Sequence, residues 1–428
     1  MNFFDNKVTK LLVSGLLIAG TVCSSPLMSF AKNTYNPAQG GTVDFETYVI
    51  YDAQANSPKA TFSFEIAPGT AIEAANGKEA VFAGNNAAVD GTPTIETASF
   101  TPSKDKYTSA QEVVTTIGKH ANLTNDPVTL EATQAYSRDE VTVDFSNVRF
   151  YEPGVYRWKI TEQSSEANTG MGIVYDTNPV RYLDVYVNHS GFTPDNSTEG
   201  AGSGTLAVIG YVLHSVADFQ PSALVTETPL EPTSGQDSTK AIGYTHTYET
   251  HDLVLSKSVD GNQASIDKYF KFEVAIENAG DTTEFDVVGA HDATVPNDSN
   301  NSVTNSSYKG QTNPALITTS NGDATVSYYL QHGQNVKIQG LPKNAKVTIT
   351  ETPEDYTPTY SVDSGTAQSG DSYVISALTA DTTVAFTNTK NGTIPTGVIV
   401  SVIPGILLVA GATIVAYSTF KKRQEGEA

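Results

Sequence analysis

The chain of 428 residues holds one cysteine, one tryptophan and three methionines. Cys23 directly follows the apolar stretch Leu11 to Val22, and a single cysteine excludes any disulfide within the chain. Basic residues are scarce: 25 Lys and Arg stand against 47 Asp and Glu, a formal net charge of −22. Attraction to nucleic acid or to an anionic membrane surface rests on clustered Lys and Arg. No such cluster lies in the body of the chain, so nucleic acid is excluded as a partner. The seven histidines show no His-Glu-x-x-His spacing, and no Gly-x-Ser-x-Gly elbow occurs. The Asn/Asp-rich stretch Pro296 to Ser307 lacks the glycine and closing glutamate of a calcium loop. No turnover enzyme, metal or cofactor is implied. Long stretches with helical periodicity are missing as well, which excludes a helix-based fold.

Long apolar runs occur only at the two ends. Lys7 and Lys10 precede Leu11 to Val22, and Ser29-Phe30-Ala31 offers the small residues a signal peptidase needs. Residues 1–31 therefore read as a signal peptide, with the exported chain beginning near Lys32. A lipid attachment at Cys23 is the alternative, but Val22 is bulkier than the Gly or Ala such a site prefers. At the other end Val398 to Phe420 is closed by Lys421-Lys422-Arg423. About 20 apolar residues cross a hydrocarbon core of ~30 Å, with the basic cluster on the cytoplasmic side. That run alone fits a permanent single-pass anchor. Ile394-Pro395-Thr396-Gly397 just before it resembles the sortase sorting signal of Gram-positive bacteria, which implies cleavage between Thr396 and Gly397. Ile in place of the usual Leu is similar to the variant signals of pilus shaft subunits.

Between the ends lie about 360 residues, room for two or three domains. They are rich in Thr, Val, Tyr, Asn, Asp and Gly, in short alternating runs cut by turn residues such as Ala67-Pro68-Gly69 and Asp260-Gly261-Asn262. One series of strands runs from Thr42 to Val212 and a second from Leu253 to Asn388. The reading is all-β: two tandem sandwiches over residues 32–249 and 250–392, followed by a sorting segment over 393–428. Glu166 to Asp176, Gly191 to Gly204 and Pro221 to Ser238 read as exposed loops.

In an alternating strand, residues two apart share a face. Lys257 is in phase with Leu253 and Leu255, Glu351 with Val347 and Ile349, and Asn388 with Val384 and Phe386. A strand-end polar residue is commonly solvated where the strand frays. Three in phase, on the first, a middle and the last strand of one domain, point instead to a common buried pocket. Burial disfavours the charged amine and the charged carboxylate alike. A neutral lysine could then attack the side-chain carbonyl of an asparagine while a glutamic acid relays protons to departing ammonia, leaving an isopeptide bond.

The order of these motifs resembles the major shaft pilins of Gram-positive bacteria, most closely the two-domain streptococcal T-antigen type, over nearly the whole exported chain. The similarity is carried by Phe150-Tyr151-Glu152-Pro153-Gly154-Val155-Tyr156, Ile160-Thr161-Glu162, Val174-Tyr175-Asp176, Ile209-Gly210-Tyr211, Leu253 to Lys257, Ile349-Thr350-Glu351 and Ala385-Phe386-Thr387-Asn388. The resemblance implies Ig-like (CnaB-like) sandwiches and a crosslink from Lys257 to Asn388 with Glu351 as catalytic acid. It implies a cell-surface polymer whose partners are further copies of the chain, a sortase, and peptidoglycan or minor pilins. Lys240 would be the acceptor for the neighbouring subunit. A singly displayed adhesin with a host surface ligand is the other reading. The first domain departs from the pattern: Glu162 is present, but Thr47 stands where a lysine is expected, and no asparagine lies near His246 and Thr247. Glu162 is then expected to be a satisfied core acid bonded to Thr47, without a Lys-Asn crosslink, and a substitute linkage through Thr47 stays open.

Overall fold

Runs of Val, Ile, Phe and Tyr at every second position, cut by Gly, Pro, Asn and Asp, build the molecule almost wholly from strands. The computed structural model describes residues 36–109, 130–189, 205–222, 239–290 and 308–392, with the short pieces 113–115, 117, 119–120, 224 and 294–296. The expected signal peptide, the tetrapeptide Ile394 to Gly397, the apolar run 398–420, the loop 191–204 and most of the tract 221–238 lie outside those residues. Among the described residues no helix is long and apolar enough to cross a membrane.

The strands form two sandwiches in tandem. In the first, a sheet ordered Ile173–Val174, Gly243–Tyr248, Thr42–Asp52, Gln134–Asp144 and Thr94–Ile95 packs on one ordered Leu206–His214, Val180–His189, Gly154–Gln163, Ala60–Pro68 and Ala98–Phe100. Their inner faces meet in a core that includes Phe45, Val49, Phe62, Trp158, Leu183 and Tyr244. In the second, Leu316–Thr318, Glu284–Gly289, Asn335–Pro342, Thr250–Asp260, Thr382–Thr389, Thr357–Val362 and Gln368–Ser369 form one sheet. It packs on Ala324–Leu330, Phe270–Glu277, Lys346–Thr352 and Ser372–Ile375 around Leu255, Phe272, Ile349, Val384 and Phe386. Each such side chain contributes roughly 1.5–3 kcal/mol by leaving water.

In both sandwiches the first and last strands are parallel neighbours, with Thr47 opposite Tyr244 in the first and Lys257 opposite Phe386 in the second. This closeness depends on glycine at two points. Gly243 has φ +146° and a Cβ there would fall 1.7 Å from the Glu46 carbonyl oxygen; Gly261 has φ +108° and a Cβ would fall 2.2 Å from that of Lys390.

Between the sandwiches, the Glu249 N–H donates to the Gly172 carbonyl (3.1 Å) and its own carbonyl accepts from the Lys343 N–H (3.0 Å). Lys59 pairs with Asp281 at 2.8 Å. One expectation needs correction here. Residues 166–176, read as an exposed loop, form the short helix Glu166–Gly170 and the strand Ile173–Val174, and bury Asn168, Met171 and Ile173. The segment joins the edge of a sheet, and Met171 and Ile173 are too sparse a pair to show periodicity.

Candidate functional site

Alternation along Thr250–Asp260 turns Leu253, Leu255, Lys257 and Val259 inward, and along Thr382–Thr389 it turns Val384, Phe386 and Asn388 inward. Because these two strands are parallel neighbours with Val259 opposite Asn388, Lys257 and Asn388 lie two steps apart on one face. Glu351 reaches them from the facing sheet, at the end of Lys346–Thr352, where it sits opposite Phe272. Lys257, Glu351 and Asn388 are 1%, 2% and 0% exposed. The structure thus brings together the three residues singled out from the sequence.

One carboxylate oxygen is shared. Glu351 Oε1 lies 2.6 Å from Lys257 Nζ and accepts a 2.8 Å hydrogen bond from Asn388 Nδ2. Phe270 and Phe272 wall the amine, with ring centres 4.4 and 5.9 Å from Nζ. Burial pushes the Lys257 amine down to about 8, with the Glu351 charge pulling the other way. Burial likewise pushes the Glu351 carboxyl up, opposed by Lys257 and Asn388. Both shifts favour the pair of neutral forms, an amine with a free electron pair and an undissociated acid. Asn388 Oδ1 is buried without a hydrogen-bond partner. A half-turn of the carboxamide would present it to a protonated Glu351. The arrangement can therefore support attack of Nζ on Cγ, transfer of the amine proton through Glu351 to the leaving nitrogen, and release of ammonia.

The corresponding residues of the first sandwich differ from expectation. Thr47 and Glu162 are buried, at 0% and 5% exposure, but they are not bonded to each other: Thr47 Oγ1 has no hydrogen-bond partner. The neighbour of Glu162 is His246, whose Nε2 lies 3.0 Å from Oε1. His246 Nδ1 accepts from the Asp176 N–H at 3.3 Å, which leaves the ring proton on Nε2, facing the acid. The imidazole stacks on Phe62, centroids 3.9 Å apart and planes within 5°. Sequence reading missed His246, although it is in phase with Tyr244 and Tyr248 in Gly243–Tyr248. The phase test that found Lys257 finds it too.

Lys240, the acceptor that the resemblance implies, is buried. It is 8% exposed and its backbone bridges His214, because the chain joins the sheet edge before Gly243–Tyr248 begins. His214 in turn lies 3.5 Å from Asp184, which takes a bidentate contact from Arg157 at 2.7 Å on both arms. Among the described residues no group of His, Cys, Asp and Glu could hold a metal ion.

Comparison with known proteins adds context. The family described as "Domain of unknown function (DUF7601)" matches residues 251–390, the second sandwich with its three-residue pocket. No curated protein matches the chain. Similar solved structures include the major pilin from Streptococcus pyogenes, at 18% identity and a TM-score of 0.46 over 83% of this chain and 100% of that one. Another is the T-13 major pilin of the same organism, at 17% identity and a TM-score of 0.42 over 83% and 100%. A pilus-presented adhesin is similar over 43% of this chain and 36% of its own, at 20% identity and a TM-score of 0.25. At such scores the functional reading rests on side-chain geometry.

Proposed function

We propose that the chain is a structural pilin subunit, exported, joined covalently to further copies of itself by a sortase, and braced by a self-formed amide between Lys257 and Asn388. The observation that carries this reading is the buried cluster in which Lys257 Nζ and Asn388 Nδ2 meet one oxygen of Glu351 at 2.6 and 2.8 Å. Such a bond would tie the first strand of the second sandwich to its last. Tension arriving at Lys257 and leaving beyond Asn388 then passes through the amide, and the sheets between need not open. The reaction happens once per molecule, so it is maturation and not turnover. An amide is also indifferent to reductants, which suits a surface protein whose single cysteine, Cys23, would leave with the signal peptide.

Polymerisation requires the sorting tetrapeptide Ile394 to Gly397 as donor and a lysine as acceptor. Lys240 is the proposed acceptor, and its burial means that the edge of the first sandwich must open for its amine to reach an acyl-enzyme. Wall extracts boiled in detergent test the proposal. A ladder of high-mass species, lost on replacing Thr396 and collapsed to monomer on Lys240→Ala, is the expected result. A single wall-linked band would instead favour a singly displayed adhesin, with a host surface ligand as partner.

A further inference from the structure

The two sandwiches repeat the pocket position for position, and the repeat can be read from register alone. Lys257 lies opposite Phe386 on the parallel last strand, and two residues on is Asn388. Thr47 lies opposite Tyr244 on its parallel last strand, and two residues on is His246. Glu351 sits opposite Phe272 and Glu162 sits opposite Phe64. Two residues before those partners come Phe270, which walls the Lys257 amine at 4.4 Å, and Phe62, which stacks on the His246 ring at 3.9 Å. The acid and its aromatic floor are kept, while the nucleophile and the acyl acceptor are exchanged for Thr47 and His246.

From this we infer that the first sandwich holds a crosslinking site lacking only its two reactants, and that this sandwich is therefore the yielding half of the subunit while the second is locked. The inference rests on reading Lys257, Glu351 and Asn388 as a crosslink. A threonine hydroxyl is neutral and weakly nucleophilic, and imidazole has no carbonyl carbon to attack and no ammonia to release. What holds the first sandwich together is then non-covalent: Thr42–Asp52 is laddered to Gly243–Tyr248 and to Gln134–Asp144, His246 of the last strand contacts Glu162 of the facing sheet at 3.0 Å, and the apolar core fills the space between. Each of these can break and re-form. A chain pulled at its ends has one sandwich that lengthens reversibly and one that does not.

The site is tested by giving it reactants. Thr47→Lys with His246→Asn in the exported chain should add a second ammonia loss in intact mass, and adding Glu162→Ala should abolish that second loss. A double variant with native circular dichroism and no second loss overturns the claim that the site is otherwise complete. Force spectroscopy on the unaltered chain, held at its two ends, decides the mechanical claim even if the double variant fails to fold. Opening residues 42–248 releases about 70 nm at ~0.35 nm per residue, and one such step is expected. Absence of that step overturns the inference. A further step of about 45 nm, from residues 257–388, would refute the crosslink of the second sandwich and leave the first-sandwich result standing.

Discussion

Replacing Asn388 with Ala removes the acyl acceptor but leaves the Lys257–Glu351 contact of 2.6 Å in place, whereas Glu351→Ala removes the acid and strands the amine against Phe270. Both variants lack the amide. The ring it would close runs from residue 257 to residue 388, and loop entropy for a ring of more than a hundred residues is worth about 5 kcal/mol. At about 3–4 °C per kcal/mol for a domain of this size, Asn388→Ala should unfold on the order of 15–20 °C lower. Glu351→Ala should lose roughly 3–5 kcal/mol more, because a buried pair has been broken on one side only. The pH profile separates lost entropy from a freed amine. In Asn388→Ala the folded Lys257 amine sits at about 8, below its ordinary 10.5. The unfolded chain then binds more protons between those values, and stability rises with pH across that window. In the crosslinked chain the nitrogen is an amide and cannot contribute such a rise. Thermal unfolding by circular dichroism from pH 7 to 10.5, taken as the difference between variant and parent, reads both quantities. Equal melting temperatures and parallel pH profiles would refute the reasoning.

Other expectations follow from groups outside the pocket. Thr47→Val keeps the shape of a fully buried side chain and deletes a hydroxyl with no partner. Chemical denaturation should therefore show unchanged or slightly higher stability, against a loss of 1 kcal/mol or more if the hydroxyl were bonded (~1 kcal/mol for a typical bond). Asp184→Asn breaks one side of the fully buried Arg157 pair and should cost about 3–5 kcal/mol in the same assay. Burial pushes Glu46 up from 4.5 to about 7 despite Arg138, so its contribution to stability is intact below 4.5 and is lost as pH rises through 7. Glu46→Gln should remove that decline and be more stable than the parent above pH 7 by up to about 3 kcal/mol. A parent and variant that melt alike at pH 5 and pH 8 would contradict it.

Much of this molecule is legible from alternation. Lys257, Glu351 and Asn388 each stand at an inward position of an apolar phase, and a strand carries phase faithfully because its period is two. The sheet order, which makes the first and last strands parallel neighbours, is not in that signal; it arises from long-range pairing such as Lys257 with Phe386. His246 was legible by phase but overlooked because no asparagine-like chemistry marked it, and the pairing of Glu162 followed the wrong strand neighbour as a result. Met171 and Ile173 were not legible, since two buried residues after a one-turn helix leave no periodic trace. The burial of Lys240 was not legible either, since a polar tract precedes it and only the long-range backbone pairing with His214 draws it into the sheet edge.

Peptide mapping by tandem mass spectrometry of the exported, folded chain measures the central bond itself. A branched peptide joining the segment that contains Lys257 to the segment that contains Asn388, lighter than the sum of the two by one ammonia, is the result this structure predicts. Two separate linear peptides, with the Lys257 amine and the Asn388 carboxamide both intact, would contradict it.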